Sequence, residues 1–218
     1  MSSLVPAIDP DGLLEYSVVF TDRSLNHMSA AFQQVMRDIS TTLKDVYQAA
    51  GVAVVPGGGT YGMEAVARQF AQDQRCLVIR NGWFSYRWSQ IFEMGHLPAE
   101  ETVLKARQTG SDAQSPFAPI SAPQKGWSAS PCSALVMLSP LALQRIESTT
   151  SNSFACDLKK WLNIMQAYEN GGHAYHATMP TDALLQFRNT MLETRDYGFA
   201  KVKEEQLQLG RAVRALFK

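Results

Sequence analysis

Val52-Ala53-Val54-Val55-Pro56-Gly57-Gly58-Gly59-Thr60 decides how this chain folds. Four apolar residues in an unbroken run, three of them valine, read as a short strand covered on both faces, as strands in α/β proteins are. Proline and three glycines then break the run. Residues 61–73 follow with helical spacing, Met63, Val66, Ala67 and Phe70 falling on one face. The stretch is therefore strand, glycine turn, helix. Upstream, residues 29–50 predict an amphipathic helix: Phe32, Val35, Met36, Ile39, Leu43, Val46 and Tyr47 obey the i, i+3, i+4, i+7 rule. Ser29 is its candidate cap and Gly51 its stop.

The alternation continues. Cys76-Leu77-Val78-Ile79 reads as a second buried strand, 85–94 as a helix and Thr102–Ala106 as a third strand. This order predicts an α/β fold with a mostly parallel sheet and helices on both faces. Residues 108–131 are rich in Gly, Ser, Pro, Gln and Ala and lack periodicity. Ala134–Leu138 is another apolar strand, and helices are expected at 140–147, 156–169, 181–195 and 199–217. The stretch 170–180, NGGHAYHATMP, reads as an irregular loop.

Composition sets outer bounds. The chain has 218 residues, 45% hydrophobic and 18% charged, enough for one well-buried large domain or two small ones. Lys plus Arg and Asp plus Glu number 20 each, so charge gives no reason to expect nucleic acid. No apolar stretch reaches membrane-spanning length, and the start MSSLVPAIDPDG lacks the basic and apolar regions of a signal peptide. Three widely spaced cysteines, Cys76, Cys132 and Cys156, form neither a disulfide framework nor a metal pair. A cytoplasmic location is the expectation.

Three motifs carry chemistry. The turn at Gly57-Gly58-Gly59-Thr60 lets backbone approach an anion closely, and the following helix N-terminus adds N–H donors and a positive dipole end. Gly57, Gly59 and Gly62 also fit a dinucleotide fingerprint, but the next strand ends in Arg80-Asn81 rather than an acidic residue. That disfavours NAD and leaves an NADP-binding oxidoreductase open, with Arg80 on the 2′-phosphate. The second motif, Asn81-Gly82-Trp83-Phe84-Ser85-Tyr86-Arg87-Trp88, places aromatics just past a strand end, where a flat face can meet a cofactor ring. The third is Lys125 in Ser121-Ala122-Pro123-Gln124-Lys125-Gly126-Trp127, with no other charge on its C-terminal side before Arg145. A poorly solvated amine there would lose its proton easily and attack a carbonyl. Tyr175 and Thr178 add hydroxyls on the glycine-led loop. His173 and His176 lack the carboxylate or thiol that would make a zinc signature, so no metal is expected.

Together these residues resemble the class V aminotransferases, pyridoxal 5′-phosphate enzymes of fold type I, and within them the alanine–glyoxylate and 2-aminoethylphosphonate–pyruvate branch. The resemblance runs from about residue 15 to the C-terminus. It implies that Gly58, Gly59 and Thr60 form the phosphate cup, that Phe84, rather than Trp83, stacks on the cofactor ring, and that Gln124 helps to hold the phosphate. Lys125 matches the lysine that carries the cofactor as a Schiff base. Tyr175 and Thr178 match the loop that reaches the phosphate of a neighbouring subunit, which implies a homodimer with shared sites. The implied activity is transfer of an amino group from an amino acid to a small 2-oxo acid such as pyruvate or glyoxylate. The implied domain plan is an N-terminal arm at 1–28 and an incomplete large domain at 29–218, with a deletion-like seam near 118–121. The family's segment before the lysine, which holds the Asp on the pyridine nitrogen, has no counterpart here. On the same resemblance, residues 1–218 are not expected to include a counterpart of the family's C-terminal domain, which holds the substrate-carboxylate arginine. A catalytically inactive binding or assembly module of the same fold is the alternative these departures imply.

Overall fold

The computed structural model describes residues 25–105 and 120–217. The first helix, α1 (Ala30–Tyr47), starts as its sequence predicts, with Ser29 Oγ accepting a hydrogen bond from the Phe32 amide at 3.1 Å. It ends earlier than Gly51. Gln48 takes the left-handed conformation at φ 52° and closes the helix, and Gly51 opens β1 (Gly51–Pro56). Next come α2 (Gly59–Phe70), β2 (Arg75–Arg80), α3 (Trp83–Gly95) and β3 (Glu100–Lys105). After the undescribed residues come β4 (Ile120–Ser121), β5 (Ser133–Leu138), α4 (Pro140–Glu147), α5 (Leu158–Glu169), α6 (Thr181–Tyr197) and α7 (Phe199–Leu216). The expected arm at 1–28 is described only from Leu25, and of the seam at 118–121 only Ile120 and Ser121 are described.

The α/β class holds, but the described strands run in both directions. β2 and β3 pair in parallel, Arg75 opposite Glu100 through Arg80 opposite Lys105, and α3 joins them as a βαβ unit. The other sheet has the order β1-β5-β4 and is antiparallel throughout, with Gly51 opposite Leu138 and Pro56 opposite Ser133. The expectation of a mostly parallel sheet is corrected on this point. The connection from β4 to β5 is a set of tight turns, including Lys125 N–H to Ala122 O at 3.1 Å and Ala129 N–H to Pro123 O at 3.0 Å. A turn without a crossover helix can only return the chain antiparallel.

The main core forms around β1 and β5. Every residue of β5 and all but the last of β1 are buried, so both faces are covered, as the unbroken apolar runs predict. α1, α5 and α6 supply Phe32, Met36, Ile39, Leu43, Trp161, Met165, Tyr168, Leu184 and Phe187 to this core. Two ion pairs tie its helices at the rim, Lys44 with Glu169 at 2.8 Å and Arg188 with Asp38 at 2.7 Å. A second, smaller cluster holds Ala67, Ala71, Val78, Phe92 and Leu97 beneath β2 and α3. α2 bridges the two, giving Ala65 to the first and Ala67 to the second.

β2 departs from its sequence reading. Its apolar run predicts cover on both faces, yet only the Cys76–Val78 face is packed, and Leu77 on the other is 58% exposed. No described element lies against that face. Among the described residues no helix is long and apolar enough to cross a membrane.

Candidate functional site

The glycine turn closes β1 and launches α2. Gly57 has φ +113°, a backbone conformation that side chains resist, and its amide donates to Cys132 O at 3.0 Å. A Cβ here would meet the Tyr61 ring at 2.7 Å. Gly58 is the N-cap of α2, in extended backbone, and a Cβ on it would meet nothing within 4 Å. It faces an open cradle beside the amides of Gly59 and Thr60, which open a 12-residue helix, while the next amide, Tyr61, donates to Gly58 O at 2.9 Å. Gly59 would place a Cβ 3.7 Å from that of Ala122, so the turn lies directly against the segment that carries Lys125.

α3 brings the second motif to the same place. Ser85 Oγ accepts from the amides of Asn81 at 2.9 Å and Gly82 at 3.0 Å and donates to Gly82 O, which secures the helix start. Phe84 then projects towards the glycine turn, while Trp83, 75% exposed, lies outside the cavity. Arg87, one helical step along from Phe84, donates from Nη1 to Thr60 Oγ1 at 2.6 Å. Its guanidinium carbon sits 5.0 Å from the Phe84 ring centroid. Arg80, which an NADP site would need, lies over the Tyr86 ring at 4.5 Å and donates to Ser89 Oγ at 2.7 Å. Ser89 in turn donates to Glu101, and Arg80 does not line the cavity.

Lys125 comes from the turns after β4. Trp127 anchors them: it is 5% exposed and meets Phe187 and Phe199 edge-on, at centroid distances of 6.1 and 6.0 Å. Lys125 Nζ lies 5.4 Å from the Phe84 ring centroid. The expectation of a poorly solvated ammonium is corrected, since Lys125 is exposed. The reason is the open side of the cavity, where β2 forms a wall from Cys76 to Ile79 and nothing described closes it.

The result is one cleft of about 1210 Å³, lined by Gly58, Gly59, Thr60, Phe84, Gln124 and Lys125 together with Arg87. Six of the eight residues singled out in the sequence meet there. Arg87 was missed, although its place three residues after Phe84 on a helix puts both on one face. Among the described lining residues the only charged groups are Arg87 and Lys125, and none is Asp or Glu.

Tyr175 and Thr178 do not line this cleft. Both are exposed on the loop before α6, where the Tyr175 ring lies 5.4 Å from that of His27. The two loop histidines face apart. His173 lies edge-on to His27 at 6.2 Å, and His176 Nε2 lies 2.8 Å from Phe154 O. Burial, reinforced by His173, lowers the His27 pKa from its ordinary value. No group of three or more metal-ligating side chains occurs among the described residues.

No family model matches the sequence, and no curated protein matches it. Its fold, however, is that of solved aminotransferases. It superposes on an aspartate aminotransferase of subgroup IV from Thermus thermophilus with a TM-score of 0.65 at 19% identity, over 83% of this chain and 66% of that one. An alanine–glyoxylate aminotransferase from Nostoc sp. gives 0.66 at 18% identity, over 81% of this chain and 63% of that one. A pyridoxamine–pyruvate aminotransferase from Mesorhizobium loti gives 0.65 at 12%, over 85% and 62%. The chain thus spans a little under two thirds of the length of each.

Proposed function

We propose that this chain holds pyridoxal 5′-phosphate on Lys125 and is a transaminase-family protein, passing an amino group from an amino acid to a small 2-oxo acid of the pyruvate or glyoxylate type. One observation carries the reading. Three segments far apart in sequence, 58–60, 84–87 and 124–125, converge on one cleft with the Lys125 amine beside the Phe84 ring. The similarity to solved aminotransferases supports it at the level of fold.

The residues present fit the phosphate end and one ring face of the cofactor. The space above Gly58 is the kind of cradle that a phosphate fills and a Cβ would close. The amides opening α2, the Thr60 hydroxyl and the Gln124 amide are donors for its oxygens. Phe84 offers an apolar face to an aromatic ring. When bound, the cofactor supplies a ring that draws electrons from the substrate and so acidifies its α-proton. The ε-amine of Lys125 is the group that would anchor the cofactor's aldehyde carbon and afterwards accept and return the proton at the substrate α-carbon. Tyr175 and Thr178 would serve the cleft of a second copy, in a homodimer.

The second reading is a binding or assembly module of the same fold without turnover. It is favoured by the lack of any carboxylate among the described residues of the cleft. A carboxylate on the ring nitrogen keeps the ring protonated, and proton removal from the substrate is slow without it. Visible absorbance on adding the cofactor, then borohydride reduction and peptide mapping, tests the shared part of both readings. The label should fall on Lys125, and equal labelling of Lys125→Ala refutes it. Amino-acid turnover with pyruvate or glyoxylate then separates the two: cofactor bound with no detectable transfer selects the module.

A further inference from the structure

We propose that Arg87 is a phosphate-binding residue of this cleft, acting both directly and through Thr60; as a statement about the cofactor, this rests on the reading above. Arg87 is one of two charged side chains among the described lining residues, and both are cations. Its Nη1 donates to Thr60 Oγ1 at 2.6 Å. A hydroxyl that accepts from a guanidinium turns its own proton away from that donor, which leaves it free to donate to a further acceptor, and the charge behind it strengthens that donation. Thr60 is in the first turn of α2, beside the open position at Gly58. An anion in the cradle would therefore meet the Thr60 proton, the amides of Gly59 and Thr60 and the guanidinium donors that Thr60 does not use. A guanidinium presents five donors in a rigid fork, so one bond to Thr60 leaves enough to engage phosphate oxygens.

The position of Arg87 over Phe84, at 5.0 Å from the ring centroid, serves the same end. Lys125 Nζ lies 5.4 Å from the same centroid. Both cations thus neighbour one ring, with no Asp or Glu among the described lining residues. Two like charges so placed attract an anion more strongly than either alone. The ligand class is a phosphate monoester dianion whose organic part reaches Lys125.

The test compares equilibrium binding of pyridoxal phosphate and of pyridoxal, which lacks the phosphate, to the wild-type chain, Arg87→Gln and Arg87→Lys. Loss of a charge-assisted contact should weaken pyridoxal phosphate about 10- to 100-fold in Arg87→Gln. Pyridoxal should change by about threefold or less, as for a residue that touches only the phosphate end. Arg87→Lys, with its charge but not its fork, should fall between. In parallel, inorganic phosphate should raise the melting temperature of the wild-type chain and leave that of Arg87→Gln unmoved. Equal weakening of pyridoxal phosphate and pyridoxal would show that Arg87 merely positions Phe84, and no weakening of either would remove it from the site; both overturn the inference. Should Arg87→Gln not fold, both measurements on Arg87→Lys carry the decision: weaker pyridoxal phosphate binding with pyridoxal unchanged and a smaller phosphate-induced melting shift than wild type support the inference, and no difference from wild type overturns it. Phosphate bound through Arg87 with no label on Lys125 would sink the cofactor reading and leave this one standing, and labelled Lys125 without dependence on Arg87 would do the reverse.

Discussion

Adjacent glycines in the turn should respond to alanine unequally. Gly57 sits at φ +113°, and a Cβ would lie 2.7 Å from the Tyr61 ring. The backbone strain of a non-glycine residue at positive φ costs about 1–2 kcal/mol. The Tyr61 ring is 51% exposed and can swing outward, so the clash adds only the low end of an overpacking cost, about 1 kcal/mol. Gly57→Ala should therefore lose about 2–3 kcal/mol. Gly58 has φ −110° and ψ 178°, which alanine adopts freely, and its Cβ would touch nothing. Gly58→Ala should change stability by no more than about 1 kcal/mol in either direction, because the freedom lost by the unfolded chain is offset by alanine being a poorer N-cap than glycine. The same methyl stands in the cradle, so phosphate-bearing ligands should bind at least about tenfold more weakly, the loss of one or more charge-assisted backbone bonds. Urea unfolding at constant m-value reads the stabilities, and titration with pyridoxal phosphate reads the cradle. Gly58→Ala as destabilising as Gly57→Ala, or Gly58→Ala binding pyridoxal phosphate as well as wild type, would refute the placement of the anion site above Gly58.

Three further outcomes follow from the same geometry. Trp127→Ala removes a buried indole packed edge-on against Phe187 and Phe199 and should cost about 3–5 kcal/mol in denaturant unfolding; a loss under about 1 kcal/mol would mean that the turns carrying Lys125 are anchored elsewhere. Lys125→Ala, at an exposed residue, should change the unfolding free energy by less than about 0.5 kcal/mol while abolishing borohydride labelling; a large stability loss would contradict the open cleft. Burial pushes the Tyr168 phenol up to about 12, and its hydroxyl donates to His27 O at 3.0 Å. The folded state therefore keeps a proton that the unfolded chain releases near pH 10, so stability should fall as pH rises from about 10 towards 12. Tyr168→Phe should flatten that slope, and a slope unchanged by the substitution would reassign it.

Local chemistry was legible without a structure. The helix at Ala30–Tyr47 was written in its apolar spacing and in Ser29, because a helix needs one buried stripe and a donor-satisfying cap. β1 and β5 were written as unbroken apolar runs, and their burial on both faces follows from that. The glycine turn, Phe84, Gln124 and Lys125 could be named because each chemistry needs a particular residue type in a particular local setting.

Other features were not local. β2 has the same apolar run as β1, yet one face is bare, because cover comes from whatever packs above a strand and no strand encodes its own neighbours. The direction of β5 depended on the turns at 122–129 rather than on its own residues. The solvation of Lys125 was misjudged for a related reason: sparse charge in sequence says little about water when a cleft stands open beside the residue. The contact between Arg87 and Thr60 spans 27 positions and is visible only once α2 and α3 lie side by side. By itself, then, the sequence determined the elements and the reactive groups, which follow from the periodicity and chemistry of near neighbours. Only the tertiary structure decided which of those groups meet, which faces stay open and where charge collects, since these depend on contacts between residues that the chain keeps far apart.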